Sequence, residues 1–243
     1  MGDVVVDSLK KGALSTFVYL TAGDDGRDSV YWATRERGAL ASARMAAGTD
    51  ASPDEISCRA VLVRGHAIRK CLLGKTESYF LRLPDGKRNG AGFPRYSNQS
   101  MRRLRARKIA AMTAVDGSTT YNGWEDLVST VGELIDAGEG AVLVHTTDPS
   151  VRANPHDHFD HRMAGVLVSQ LRSQKSFNAR YYVGYALATH AANRTNEQAR
   201  EKTEVFLAYN DEMMRTDKNW SAYREHPGFY ANCMTRTFAR SPR

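Results

Sequence analysis

The sequence predicts an α/β fold with a mostly parallel sheet flanked by helices. Short apolar runs typical of buried strands alternate with longer proline-free segments that favour helix, beginning with helix, strand, loop and helix. A chain of 243 residues is long enough for one sizeable core, so we predict a single domain over residues 1–243. Hydrophobic residues make up 42% and charged residues 25%, which argues against global disorder.

The first half of the chain supplies most of the strand signals. Residues 2–11 place Val5 and Leu9 on one face, as the end of a helix would, and the apolar run 13–20 is typical of a buried strand. A glycine-rich polar loop leads into an alanine- and arginine-rich helix. Alternating patterns then predict a group of strands that ends at a Pro-Asp-Gly turn. The predicted helix covers residues 31–47, and the strands cover 59–64, 66–72 and 78–83.

The second half is predicted to contain more helix. A glycine-rich surface loop is followed by a basic helix, and then by a helix with four apolar side chains on one face. A buried strand and a polar, proline-broken loop lead into an apolar helix, a late edge strand and a long final helix. The predicted helices cover residues 100–112, 123–137, 163–172 and 197–214, and the strands cover 141–147 and 181–185.

Positive charge is concentrated in two short segments. The formal net charge is +7, and Arg and Lys crowd residues 101–108 and 236–243. Such charge could attract nucleic acid or an anionic surface. A solvated helix face is the preferred interpretation, because no base-stacking aromatic pattern accompanies the arginines. We therefore expect no nucleic-acid partner.

The sequence carries no membrane or secretion signal. No apolar run approaches the ~20 residues of a membrane helix, and the first residues lack the pattern of a signal peptide. Cys58, Cys71 and Cys233 are odd in number and share no CxxC spacing, so we expect buried free thiols. The expectation is a cytoplasmic protein.

Three histidines and two aspartates lie within six residues of each other. His156, His158 and His161 alternate with Asp157 and Asp160 on the loop between a buried strand and a helix. Open α/β sheets bind ligands at the carboxyl edge, where this loop is expected to lie. Imidazole and carboxylate at this density suit zinc, and a carboxylate can also hold a ligating histidine through its second nitrogen. The alternative is a polar capping loop, which explains one of the aspartates but not the three histidines.

A family resemblance rests on this cluster and on other segments in the same order. Residues 158–165, His-Phe-Asp-His-Arg-Met-Ala-Gly, resemble the second signature of the PIG-L/LmbE deacetylases, a His-x-Asp-His followed by small residues on a helix. The resemblance spans roughly residues 14–209. The other matching segments are residues 17–28, the Leu-Pro-Asp-Gly of 83–86, residues 116–118, residues 182–185, Lys202 and Tyr209.

The resemblance implies a Rossmann-like domain that holds one zinc ion. Family members remove an acetyl group from an N-acylated amino sugar, such as an N-acetylglucosamine conjugate, or cleave a related amide. By position, His161 is expected to be a zinc ligand, His158 to stabilise or protonate the tetrahedral intermediate, and Asp160 to orient His158 or the ligands. Arg35 and Glu36 resemble the family's substrate-binding pair, although ordinary helix surface charges are an equal alternative.

One part of the family pattern is absent from this sequence. The family's first signature, His-Pro-Asp-Asp at the end of the first strand, supplies two zinc ligands and the general base, and no such motif occurs here. Asp24 and Asp25 lack the His-Pro and match a later loop. The first strand therefore looks missing, which would expose a sheet edge or leave a gap in the sheet. We expect weak or no activity from the chain as written, and a pseudoenzyme or binding module of the same fold is the alternative.

Overall fold

The computed structural model describes residues 1–49, 56–138, 140–216 and 226–242, which form a mixed α/β fold. In chain order the elements are α1 (Gly2–Lys10), β1 (Ser15–Thr21), α2 (Ser29–Ala47), β2 (Ser57–Val63), β3 (His66–Leu73), β4 (Thr76–Leu83), α3 (Met101–Arg105), β5 (Met112–Thr113), β6 (Thr120–Tyr121), α4 (Trp124–Asp136), β7 (Leu143–Thr147), α5 (Phe159–Gln174), β8 (Asn178–Tyr182), α6 (Asn196–Thr216), α7 (Pro227–Met234) and β9 (Ala239–Arg240). Short 3-10 helices lie at Pro94–Tyr96 and Tyr185–Thr189.

The strands form three separate sheets. Their orders are β1-β4-β3-β2, β5-β6 and β7-β8-β9. Only β1 with β4 and β7 with β8 pair in parallel, so the expectation of a mostly parallel sheet is wrong for the described residues. The reason is that β2, β3 and β4 are joined by tight turns, which permit only antiparallel pairing. At the first of these turns Arg64 and Gly65 both have positive φ, as a two-residue hairpin requires.

Strands β1 and β7 are both edge strands of their sheets. A cavity of about 380 Å³ is lined by residues from both, including Leu20 and Thr21 of β1 and Thr147 of β7. Arg35 of α2 and Tyr209 of α6 line the same cavity. In the described parts of the chain, this cavity thus lies where two strand edges have no neighbouring strand.

The main core packs helices α3, α4 and α5 against strands β3 and β4. Gly165 lets α5 approach the end of β7, because a Cβ there would lie 2.1 Å from the carbonyl oxygen of Thr147. This close approach brings the first turn of α5 to the carboxyl end of β7. Fully buried members of the core include Ile68, Leu81, Leu83, Met101, Leu104, Leu127, Leu167 and Leu171.

Helix α4 shows why the helix prediction over residues 123–137 succeeded. Leu127, Val131 and Leu134 recur at helical spacing and are all buried. Glu125 and Asp126 in the first turn complement the positive end of the helix dipole. The predictions for α1, α2, α5 and α6 are confirmed in the same way, within a few residues at each end.

Two elements differ from their predictions. The basic helix predicted over 100–112 ends at Arg105, and Arg107 has a positive φ that a continuing helix does not allow. The edge strand predicted over 181–185 is β8, which lies between β7 and β9. Its other neighbour, β9, comes from the end of the chain, a long-range pairing that local sequence does not reveal.

The expectation of three free thiols is also wrong. Cys58 of β2 and Cys71 of β3 lie directly opposite each other and form a disulfide, and only Cys233 is free. Within the described ranges, no helix has both the length and the apolar character needed to cross a bilayer. Disulfides persist in oxidising compartments, so this bond weighs against the cytoplasmic location, which stays a prediction.

Candidate active site

The loop over residues 148–158 is tied to the end of β8 by one buried side chain. Asn154 is 1% exposed, and its amide donates to the carbonyl oxygens of Asp148 at 2.8 Å and Tyr182 at 3.3 Å. Its own oxygen accepts from the backbone N–H of Gly184 at 2.5 Å. Asn154 therefore holds the loop that carries the histidine cluster, a role that its place in a polar sequence did not reveal.

Asp157 holds the ring of His161. One carboxylate oxygen of Asp157, Oδ1, accepts from the backbone N–H of His158 at 2.8 Å and faces Nδ1 of His161 at 2.9 Å. Because a buried carboxylate only accepts, Nδ1 of His161 carries the hydrogen and Nε2 is left with its lone pair. No hydrogen-bond partner for Nε2 occurs among the residues that the structure describes. His161 also lines the cavity between β1 and β7, so this nitrogen is available to a ligand.

His158, Asp160 and Asp85 form a second group beside it. Nε2 of His158 lies 3.4 Å from Oδ1 of Asp85, and Nδ1 lies 3.8 Å from Oδ2 of Asp160. One ligand atom from each of the three residues falls within 4.8 Å of the others. Among the described residues this is the group whose geometry would suit a metal ion, and the predicted ligand His161 is not a member.

Asp160 is held by the Leu-Pro-Asp-Gly turn. Its Oδ2 accepts from the backbone N–H of Gly86 at 2.7 Å, and its Oδ1 is buried without a hydrogen-bond partner. A Cβ at Gly86 would lie 2.4 Å from Oδ1, so a glycine is required here for the carboxylate to fit. The turn after β4 and the start of α5 are thereby joined at the site.

The three titratable groups shift each other's protonation. Burial alone would lower the pKa of His158, but the hydrogen bond to Asp85 and the charge of Asp160 raise it above its ordinary value. Burial raises the pKa of Asp160 to about 6, although the Gly86 hydrogen bond and His158 act against this. Burial also opposes ionisation of Asp85, but the bond with His158 outweighs it and lowers the pKa of Asp85. The site thus pairs an imidazole that favours its charged form with a carboxyl group that resists ionisation.

A buried aspartate that the sequence analysis set aside supports Asp85. Asp24 is fully buried, and its Oδ1 accepts from the backbone N–H of Asp85 at 2.6 Å. Its Oδ2 accepts from the backbone N–H of Gly26 at 2.9 Å. The loop after β1 therefore fixes the turn after β4, which in turn carries Asp85 and Gly86.

Arg35 and Glu36, which were predicted to bind substrate, lie in two different environments. Arg35 lines the cavity, lies 5.9 Å from the ring centres of both Tyr31 and Tyr209, and has no carboxylate partner in the described parts of the chain. Glu36 is buried and receives both of its hydrogen bonds from Arg82, at 2.6 and 2.7 Å. Arg35 donates one hydrogen bond, to the Tyr31 hydroxyl at 3.4 Å, and its other N–H groups can meet a ligand, whereas both Glu36 oxygens are already occupied.

Aromatic side chains extend away from His161. The edge of the Tyr185 ring meets His161 with the ring centres 5.2 Å apart, and Phe229 of α7 lies 6.1 Å beyond Tyr185. Tyr185 is 42% exposed, although large aromatic side chains are usually more buried. His156, the remaining histidine of the cluster, is exposed and belongs to neither group.

Comparisons with known proteins found no match for the chain among protein-family models, curated proteins or solved structures. The resemblance to the deacetylase family accordingly stays a prediction.

Proposed function

We propose that the chain carries part of the active site of a zinc-dependent hydrolase that removes an acyl group from an N-acylated amino sugar, such as an N-acetylglucosamine conjugate. The observation that carries the proposal is the pairing of Asp157 with His161, which leaves Nε2 of His161 open toward the cavity. Beside it stands a polarised Asp85–His158 pair. A ligand nitrogen next to an acid–base pair is what metal-assisted amide hydrolysis requires.

The side chains at this site are of the types that bind zinc, but there are fewer of them than a catalytic zinc site normally has. His161 would hold the ion through Nε2, and Asp157 would fix the tautomer and orientation of the ring, as carboxylates do for zinc-binding histidines. The partnerless Oδ1 of Asp160 adds a buried negative charge beside the cavity. Zinc, when bound, supplies a Lewis acid that polarises the amide carbonyl. A catalytic zinc site normally has three protein ligands, so the site would need further ligands.

His158 would handle the proton of the reaction. In the neutral ring Nδ1 accepts from the backbone N–H of Asp160 at 3.2 Å and Nε2 carries the hydrogen that faces Asp85, so the ring is fixed at the helix start. The charged ring gives up the bond at Nδ1 and is favoured instead by the carboxylates of Asp85 and Asp160. With its pKa raised, the imidazole would stabilise or protonate the tetrahedral intermediate at the acyl carbon. Asp85 and Asp160 would hold the ring in place and favour its charged form.

Two features favour a sugar as the substrate. The exposed ring of Tyr185 beside His161 offers a flat surface for the apolar face of a pyranose. The guanidinium of Arg35, which lines the cavity and has no carboxylate partner in the described parts of the chain, offers several N–H donors.

We further propose that an additional strand between β1 and β7 would complete a Rossmann-like sheet. Among the residues that the structure describes, neither strand has a partner on its outer edge, and the cavity of about 380 Å³ lies between them. In the family pattern this strand ends in His-Pro-Asp-Asp, so it would bring the missing ligands and general base to the cavity.

Peptide complementation tests the proposal. Acetate release from an N-acetylglucosamine conjugate is measured with zinc, with and without a synthetic apolar peptide that ends in His-Pro-Asp-Asp. We expect little turnover by the chain alone, and zinc-dependent turnover when the peptide is added. A peptide ending in His-Pro-Ala-Ala and the His161→Ala variant serve as inactive controls. If zinc and peptide bind but no acetate is released, the hydrolase is refuted and the pseudoenzyme or binding module takes its place.

A further inference from the structure

The net positive charge of the chain resides in a single segment. Lys and Arg number 34 and Asp and Glu 27, which gives +7. Residues 86–115, here called the basic segment, contain eight of the cations, from Lys87 to Lys108, and no acidic residue. The formal charges of all other residues therefore sum to −1.

These cations are not neutralised by the protein. None of the eight forms an ion pair with a carboxylate in the described parts of the chain, whereas arginines elsewhere, such as Arg82 and Arg240, do. Seven of the eight are exposed, and the exception, Arg103, is half-buried and donates to the carbonyl oxygen of Asn98 at 3.1 Å. Unpaired like charges on one surface repel each other, so the segment is suited to an anionic partner.

The basic segment is attached to the candidate active site. The carbonyl oxygen of Arg88 accepts from the backbone N–H of Phe159 at 3.2 Å, and the guanidinium of Arg102 lies 4.9 Å from the centre of the Phe159 ring. Phe159 is the first residue of α5, between His158 and Asp160. A polymer that reached the site would therefore pass beside these cations.

We infer that the basic segment binds the anionic groups of an amino-sugar glycan, that is, a polymer whose N-acylated sugars alternate with or carry carboxylate, sulfate or phosphate groups. The identity of the sugar rests on the proposed function, whereas the requirement for negative charge rests on the segment alone. An anionic membrane is a poorer fit, because no large hydrophobic side chain in the segment is exposed. Nucleic acid is also a poorer fit, because Phe93 and Tyr96, the aromatic residues of the segment, are only partly exposed and contact Lys87 and Arg27.

Binding is tested with two glycans of equal length. One is an anionic polymer of alternating glucuronate and N-acetylglucosamine, and the other is a neutral N-acetylglucosamine oligomer. Fluorescence anisotropy gives Kd over a series of salt concentrations for the wild-type chain and for Arg105→Glu/Lys108→Glu. The control Arg59→Glu/Lys75→Glu makes the same change in charge at exposed positions of β2 and the β3–β4 turn.

We expect the wild-type chain to prefer the anionic glycan and to lose affinity as salt rises. The Arg105→Glu/Lys108→Glu variant should bind it about tenfold or more weakly, with a shallower salt dependence, while the control stays within about twofold. Equal affinity for the two glycans, or an equal loss in the control, would overturn the inference. Tighter binding to a single-stranded oligonucleotide of the same charge would overturn it in favour of nucleic acid. Anionic-glycan binding without acetate release, in the assay that contains zinc and the peptide ending in His-Pro-Asp-Asp, would uphold this inference and refute the proposed hydrolase alone.

Discussion

Replacing Asp160 by Asn is expected to change the pH dependence of stability by a predictable amount. Asp160 is 5% exposed, and burial raises its pKa to about 6 from 3.8. At about 1.4 kcal/mol per pKa unit, this difference corresponds to about 3 kcal/mol. Below pH 3.8 the carboxyl group is protonated in both the folded and the unfolded chain and has no cost. As the pH rises through about 6, the folded state comes to hold a buried charge and loses this free energy.

Asparagine at position 160 removes the buried negative charge, but its amide group also lowers the stability of the folded state. Its oxygen can accept from Gly86, but its amide would replace an Oδ1 that has no partner, and an unsatisfied buried donor costs about 1–3 kcal/mol. Asp160→Asn should therefore be slightly less stable than wild type near pH 4 and more stable near pH 7.5. Because the unfolded carboxyl group is already more than half ionised at pH 4, the difference between these two pH values is about 2.5 kcal/mol, and it does not depend on the cost of the amide.

Urea denaturation at both pH values, in buffer with EDTA so that no metal alters the titration, measures this difference. Asp116→Asn provides the control. Burial opposes ionisation of Asp116, but hydrogen bonds from Ser118 and Arg82 outweigh it and lower its pKa. The stability from this charge is therefore lost only below pH 3.8, so Asp116→Asn should differ from wild type by nearly the same amount at both pH values. If Asp160→Asn differed from wild type by the same amount at both pH values, the reasoning about the buried charge would be refuted.

The remaining predictions concern the metal, the substrate and the disulfide. His161→Ala should abolish zinc binding in calorimetry and Asp157→Asn should weaken it about 10- to 100-fold, so wild-type affinity in both variants would refute the assignment of the ligand. Tyr185→Ala should raise the Kd for an N-acetylglucosamine conjugate about three- to tenfold, whereas Tyr185→Phe should not, and NMR titration of both distinguishes ring stacking from a hydroxyl contact. Reducing the disulfide between Cys58 and Cys71, which are separated by 13 positions, should lower the free energy of unfolding by about 3 kcal/mol. Urea melts with and without reductant measure this loss, the Cys58→Ala/Cys71→Ala variant should not respond to reductant, and an unchanged wild-type midpoint would contradict the prediction.

Local sequence patterns predicted the helices and strands that are stabilised mainly by contacts between residues close together in the chain. Helix α4 combines apolar spacing with acidic residues in its first turn, and it was found within one or two residues of the predicted bounds. Strands β2 to β4 alternate clearly and are joined by short turns. The sheet arrangement was predicted less well, because the partners of β1 and β8 depend on contacts between distant parts of the chain.

The residues of the candidate site likewise divide into those that local sequence predicted and those that depend on distant contacts. Three histidines close together in the sequence predicted a site at His158 and His161. In the structure His161 lines the cavity, and the ring centre of His158 lies 5.4 Å from that of His161. Asp85 is 73 positions before His158, and the Leu-Pro-Asp-Gly resemblance gave its place in the chain but not its contact. Asp24 was predicted to be no substitute for the missing signature, which stays a prediction, and its side chain holds Asp85 in position by accepting from backbone N–H groups.

Two carboxylate oxygens at this site resist a purely structural explanation. Oδ2 of Asp157 and Oδ1 of Asp160 are buried and have no hydrogen-bond partner, an arrangement that folding alone disfavours. Each lies against a glycine, since a Cβ would come within 2.2 Å of the first at Gly184 and 2.4 Å of the second at Gly86. Neutral amides of the same shape would relieve the excess charge, so two unsatisfied carboxylates beside two histidines indicate that the negative charge itself serves a ligand. A cation in the adjoining cavity would satisfy that charge, which is why the stability gained by Asp160→Asn and the zinc affinity lost by Asp157→Asn are expected together.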